Sequence, residues 1–224
     1  MSAPGPGTRT VHCAEALEWL AAEPVVGGRA FVTSLPDVSE VGLAFDAWRA
    51  WFVRAAAAVL ERVPADGVAI FFQTDIRQQA LWVDKGYLVQ RAAETVGAEL
   101  LWHRIACRLP PGTHGMGRPG YAHVMCFARG FRPAGTASMP DVLGDAGEKL
   151  WVRGIGWIAT AHAIRFVRRH TPAHTVVDPF CGKGTFLAAA NAAGLDAIGV
   201  DLSPARCRDA RGQIDVPEQA RRLL

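Results

Sequence analysis

Eleven residues in the last quarter of the chain, Val176 to Phe186 (VVDPFCGKGTF), constrain the fold more than any other stretch. An apolar run stops at Asp178, Gly182 and Gly184 flank Lys183, and small residues from Phe186 to Asn191 open a helical pattern. That order reads as a strand, a tight turn and a helix N-terminus. The glycines let backbone approach a ligand, and the helix start offers unpaired N–H groups and a partial positive charge. A second apolar run, Ala197 to Val200, ends in Asp201, where an acid roughly 20 residues past such a turn can accept both hydroxyls of a ribose. The pair of strands predicts a site for a nucleoside-bearing ligand. Neither GxGxxG nor GK[ST] is complete here, so a dinucleotide fold and a P-loop both fit poorly.

DPFCGKGT, Asp178 to Thr185, resembles motif I of class I S-adenosylmethionine-dependent methyltransferases, in the DPFxGxGT form of enzymes that methylate exocyclic amines of nucleobases. The resemblance implies that Asp178, Pro179, Phe180, Cys181, Gly182, Gly184 and Thr185 hold the cofactor, with Asp201 and Leu202 beside it. VHCAEALEWL resembles the xGDALExL segment that begins many permuted members of this group, and Glu15 stands where an acid reads the cofactor's adenine amine. A helix-start carboxylate favoured by the helix dipole is the alternative reading of Glu15.

The catalytic loop of the amino-methyltransferases is [DNS]PP[YFW], and SLPD, Ser34 to Asp37, stands at its place. Ser34 and Pro36 match; Leu35 and Asp37 depart from the pattern. The resemblance implies that Ser34 and the backbone at Leu35 orient the acceptor, that Pro36 stiffens the loop, and that Asp37 accepts a proton or holds the amine. A strand-end turn without chemistry is the alternative. The missing aromatic removes base stacking from this loop, which directs attention to Trp102, His103 and Tyr121 as substitutes. AELLWHRIACRL and YAHVMCFAR resemble a strand pair of the same enzymes, which adds His123, and the joining loop brings Arg118. Isolated histidines more commonly serve structure than substrate.

The 224 residues are half hydrophobic, enough for a sizeable core, and are expected to form one domain with residues 1–8 frayed and loops at 110–120 and 132–147. A net charge of +3 neither diagnoses nor opposes nucleic-acid binding. Five cysteines lack CxxC spacing, which favours free thiols in a reducing compartment over disulfides or a metal site, and no metal is expected. No apolar run approaches a membrane span, and the start lacks a signal-peptide core, so a cytoplasmic protein is expected.

Seven strands are expected, near residues 9–13, 29–33, 67–72, 99–106, 121–128, 174–178 and 196–200. Helices are expected after Cys13, from Phe45 to Val63, from Lys149 to His170, and from Pro204 to Leu224; Asp75 reads either as a polar group at a strand tip where such sheets bind ligands or as the cap of the helix that follows it. The fold class is therefore α/β, a Rossmann-like seven-stranded class I methyltransferase sheet with helices on both faces. The Gly-rich turn comes late, so the chain resembles a circularly permuted member whose usual third strand comes first. The activity this implies is methyl transfer from S-adenosylmethionine to a nucleobase of nucleic acid, RNA (tRNA) before DNA, because no segment remains for a DNA-reading domain and the C-terminal helix is rich in arginine. A small-molecule methyltransferase and a non-catalytic cofactor-binding subunit are the other readings, and a homodimer is left open.

Overall fold

Strands β2 (Arg29–Thr33) and β3 (Ala69–Gln73) show how the sheet is made. Successive side chains point to opposite faces, and here both faces are apolar. Ala30, Val32, Val68, Ile70 and Phe72 enter one core layer; Phe31, Ala69 and Phe71 enter the other. The sheet must therefore be covered on both sides. The computed structural model, which describes residues 7–134 and 140–224, has that arrangement.

Besides β2 and β3 the strands are β1 (Arg9–Cys13), β4 (Ile76–Gln78), β5 (Leu81–Val83), β6 (Glu99–Cys107), β7 (Tyr121–Ala128), β8 (Val142–Leu143), β9 (Thr175–Asp178) and β10 (Asp196–Asp201). The helices are α1 (Ala16–Ala22), α2 (Val38–Val41), α3 (Phe45–Glu61), α4 (Lys85–Thr95), α5 (Trp157–His170), α6 (Thr185–Ala192), α7 (Pro204–Gly212) and α8 (Glu218–Arg221). Eight strands form one sheet in the order β1-β10-β9-β2-β3-β7-β6-β8. The first five run parallel, and β7 is antiparallel to both β3 and β6. Helices α1, α3 and α4 pack through Leu20, Trp48, Phe52, Leu60, Leu88 and Val89 on one face. Helices α5 to α8 pack through Ile164, Phe166, Leu187, Cys207 and Ala220 on the other.

All seven expected strands are present. The sheet gains an eighth, β8, from within the stretch expected as a linker, and a separate hairpin of β4 and β5. The long C-terminal helix is instead α7 and α8, divided where Gly212 ends the first and Pro217 caps the second. The helix expected from Lys149 begins only at Trp157, because residues 149–156 form a strap closed by a bridge between Lys149 and Gly156. Residues 1–6 of the expected frayed start and 135–139 of the expected linker lie outside the described residues. Thr8 is tied down, its backbone N–H and hydroxyl both donating to Asp196 at 2.7 Å.

The chain leaves β9 through α6 to reach β10 on one side, while β2 lies on the other side of β9. In open α/β sheets, ligands bind beyond the strand ends at such a reversal. The fold places that point between Asp178 and Thr33, whose hydroxyl donates to the Asp178 carboxylate at 2.6 Å.

Candidate functional site

A cleft of about 600 Å³ opens beyond the C-terminal ends of β1, β2, β9 and β10. Its floor is the Gly-rich turn. Gly182 has φ +52°, a region open mainly to glycine, and a Cβ there would come within 2.9 Å of the Trp151 ring. The Gly182 N–H donates to Asp201 Oδ2 at 3.1 Å, and the Ser203 N–H donates to Asp201 Oδ1 at 2.8 Å. Each carboxylate oxygen has a second lone pair, so Asp201 holds the turn and can still accept from a ligand. Opposite it, Glu15 caps α1 by accepting from the Glu18 N–H at 2.8 Å and also borders the cleft. The helix-start reading of Glu15 is therefore seen directly.

Asp178 is buried and accepts from the Thr33 hydroxyl and from the Phe180 N–H at 3.1 Å. Burial pushes its carboxyl up to about 7, the two hydrogen bonds opposing the rise and the nearby Asp201 adding to it. Pro179, Phe180, Cys181, Thr185 and Leu202 also border the cleft. Burial and the neighbouring carboxylates raise the Cys181 thiol well above its ordinary range, so it is an inert wall. Gly184 is different. It lies outside the cleft as the N-cap of α6, at φ +85°, and a Cβ there would meet Ala210 Cα at 3.0 Å.

Three further walls complete this cleft. Trp51 fits the α3 stripe that predicts core packing, yet it is only half-buried, edge-on to Phe180 and facing the cleft. Trp151 comes from the strap, and the Arg206 guanidinium lies 5.2 Å from its ring centre. Ile155 completes the strap side.

A second cleft, of about 390 Å³, shares a lip with the first at Ser34, Leu35, Glu40 and Arg153 to Ile155. Ser34 sits on this lip, and among the described residues its hydroxyl has no hydrogen-bond partner. The Leu35 side chain is buried in the α3 layer, so only its backbone can face a ligand. The Pro36 carbonyl accepts from Trp48 Nε1 at 3.3 Å, which anchors the loop to α3.

Asp37 borders the second cleft but is not a free carboxylate. Lys85 Nζ lies 2.5 Å from Oδ1 and Arg118 2.7 Å from Oδ2, and Asp37 also caps α2 in a reciprocal pair with Glu40. Burial works against its ionisation, but the two cations outweigh it and hold the carboxyl below its ordinary value. Burial lowers the Lys85 ammonium more than Asp37 restores it. A carboxylate so held is a weak base, and its geometry corrects the expectation that Asp37 accepts a proton.

The expected substrate residues divide. Arg118 reaches the second cleft, whereas Trp102, His103, Tyr121 and His123 border neither cleft. Trp102 turns into the core, edge-on to Phe166, because it alternates to the α5 face of β6. His123 lies opposite Gln73 in the β3–β7 register, bonded to Asp75 at 3.1 Å and to His103 at 2.9 Å, with Tyr121 packed edge-on. Asp75 does take the N–H of Lys85, the first residue of α4, at 2.9 Å, but the β4–β5 hairpin intervenes and Asp84 is the cap. All five cysteines are free; Cys13 is exposed and the other four are buried.

No protein-family model matches the sequence, and no curated protein matches it. Solved structures do match. TTHA0409 of Thermus thermophilus, named a "Putative DNA Modification Methylase", is 18% identical over 95% of this chain and 97% of its own, with a TM-score of 0.73. Its complex with S-adenosyl-L-methionine is 19% identical over 91% and 92%, with a TM-score of 0.70. The PvuII DNA methyltransferase (cytosine-N4-specific) is 14% identical over 99% and 93%, with a TM-score of 0.72. The chain therefore has the fold of the class I methyltransferases.

Proposed function

We propose that the chain is an S-adenosylmethionine-dependent methyltransferase acting on a nucleobase of nucleic acid. The observation that carries this reading is the pair of clefts meeting at Ser34 and Leu35, one shaped for a nucleoside ligand and one open beside it. The first fits the cofactor by its chemistry: acids at Glu15 and Asp201, apolar walls at Trp51, Phe180 and Ile155, and a glycine floor that a side chain would fill. When bound, the cofactor would supply an electrophilic methyl group on its sulfonium: the acceptor nitrogen would form the N–C bond in line as the C–S bond breaks, the thioether leaving and the proton of the nitrogen passing to water.

The chain's own residues then position the acceptor, the main protein contribution to such a displacement. The Ser34 hydroxyl and the Leu35 carbonyl accept hydrogen bonds from the acceptor amine at the lip. Asp37 acts through Lys85 and Arg118, fixing both beside the acceptor. The strap of residues 149–156 keeps water from the reacting centre, held by the Arg153–Glu40 ion pair at 2.9 Å. We further read the connectivity as a circular permutation, since β9, the Gly-rich turn and β10 come last in the chain but lie among the first strands in the sheet.

DNA is the acceptor to test first. The similar structures carry DNA methylase names, and the C-terminal arginines read as an RNA-facing surface are partly engaged within the protein. Arg206 covers Trp151, Arg211 donates to the Val11 carbonyl at 2.7 Å, and Arg222 pairs with Glu218. A small-molecule acceptor is favoured by one observation: the aromatic residue bordering the second cleft, Phe72, is fully buried, so no exposed ring is there to stack a base. Incubation with tritiated cofactor and, separately, DNA, total RNA and metabolite extract distinguishes these. Nuclease-sensitive label in DNA is expected; label confined to metabolites, or cofactor binding without transfer, overturns the reading.

A further inference from the structure

The second cleft is bordered by five cations, Lys85, Arg108, Arg118, Lys149 and Arg153, against three acids, Asp37, Glu40 and Asp145. Asp37 and Glu40 are ion-paired, whereas Asp145 is exposed and keeps its charge, which leaves the cations in excess by two. Asp37 is shared by Lys85 and Arg118, Glu40 pairs with Arg153, and Asp145 accepts from the Gly147 N–H at 2.8 Å. Arg108 and Lys149 are left without an ion-pair partner among the described residues. They do not form a charge run, because they come from separate places: Arg108 follows β6, Arg118 lies in the loop between β6 and β7, and Lys149 starts the strap.

We propose that Arg108, Arg118 and Lys149 form an anion subsite that takes a phosphate of the acceptor substrate, resting on the reading of the second cleft as the acceptor cleft. Arg108 is fixed for this role by donating to the Pro119 carbonyl at 3.2 Å, which leaves its remaining N–H groups for a ligand. Partial desolvation lowers the proton affinity of Arg108 and of the more exposed Lys149, neighbouring cations lower it further, and at Arg108 Asp37 offsets part of the fall, so an anion placed among them relieves both. Arginine offers a planar fork that matches phosphate oxygens, and lysine adds a point charge. Since this cleft shares its lip with the first, a phosphate held here tethers the rest of the substrate next to Ser34. That tether supplies positioning in a cleft without an exposed aromatic.

The phosphate could belong to a nucleic-acid strand or to a free nucleotide, and binding assays separate the two. Arg108→Gln/Lys149→Gln is compared with wild type, using a short labelled DNA, deoxynucleoside monophosphates and the corresponding uncharged deoxynucleosides as probes. Binding of a phosphate-bearing probe is expected to weaken roughly tenfold to a hundredfold, with deoxynucleoside binding unchanged. For a strand, the slope of log affinity against log salt should fall by about 0.9 for each phosphate that the variant no longer neutralises. An effect on DNA assigns a diester, and an effect confined to monophosphates assigns a monoester; either supports the subsite. Arg108→Lys/Lys149→Arg should recover most of the loss, which separates charge from misfolding. Unchanged affinity and salt slope for every phosphate probe overturns the proposal, as does a wild type that binds none of them at low salt. Cofactor titration and methyl transfer are measured on the same proteins, so absent transfer beside intact phosphate binding counts against the enzymatic reading and not the subsite.

Discussion

At Asp178, burial leaves a sign that experiment can read. The folded-state value of about 7 lies above the ordinary 3.8, so the folded chain retains a proton that the unfolded chain gives up. Its contribution is therefore most favourable at acid pH, weakens as pH rises through the interval between those values, and is constant above it. Asp178→Asn keeps an acceptor for the Thr33 hydroxyl and removes the charge. It should melt above wild type in mildly alkaline buffer, with the gap closing as pH falls toward 4; thermal melts across that range check this, and a gap independent of pH contradicts it. The Asp37–Lys85 pair makes the opposite demand. Both side chains are nearly inaccessible, so Asp37→Ala strands a buried ammonium beside Arg118 and should cost about 3–5 kcal/mol in urea unfolding. Asp37→Ala/Lys85→Met should regain much of that loss. A double variant no more stable than the single would show that the pair is unimportant. Lys85 is invisible to sequence reasoning, since a lysine after Asp84 looks like a solvated helix start; only the packing of α4 buries it.

At the level of elements, the two glycines of the turn separate ligand binding from folding. Gly182 faces Trp151 across the cleft, whereas Gly184 faces α7 backbone. Gly182→Ala carries the strain of its positive φ, about 1 kcal/mol, and in addition should weaken binding of S-adenosylmethionine in the folded fraction by displacing Trp151. Gly184→Ala should instead lower stability by about 1–3 kcal/mol, from a strained φ and a tight contact with Ala210, with affinity of the folded fraction preserved. Calorimetry and denaturant unfolding on both variants distinguish the two patterns; matching profiles would refute the distinction. The elements that sequence missed have physical reasons. The β4–β5 turn uses Gln79 and Ala80 at φ 50° and 63°, without the glycine or asparagine that signals such turns. Strand β8 has two residues, too few for periodicity to register. The break between α7 and α8 was legible in Gly212 and Pro217, but the arginine-rich pattern on both sides hid it.

For the molecule as a whole, sequence was most informative where burial is two-sided. Continuous apolar runs such as Val68 to Phe72 mark central strands because both faces need covering, and the turns at their C-terminal ends then mark the ligand crevice. The first cleft was legible for that reason: Glu15, Asp178 to Gly182 and Asp201 come from three strand ends that the parallel order brings together. The second cleft was legible only in part, through Ser34, Leu35, Asp37 and Arg118, which border it. Its five cations converge from a helix start, a hairpin loop, a strand end and a strap, with no fixed spacing between them. No described helix is long and apolar enough to cross a membrane. The central claim is that the first cleft holds S-adenosylmethionine, and calorimetric titration of that compound into wild type and Asp201→Ala tests it most directly. Saturable binding is predicted for wild type, with affinity reduced roughly tenfold to a hundredfold in a variant whose circular dichroism is native. Absence of binding to the folded wild type, or equal affinity in a folded Asp201→Ala, would contradict the account.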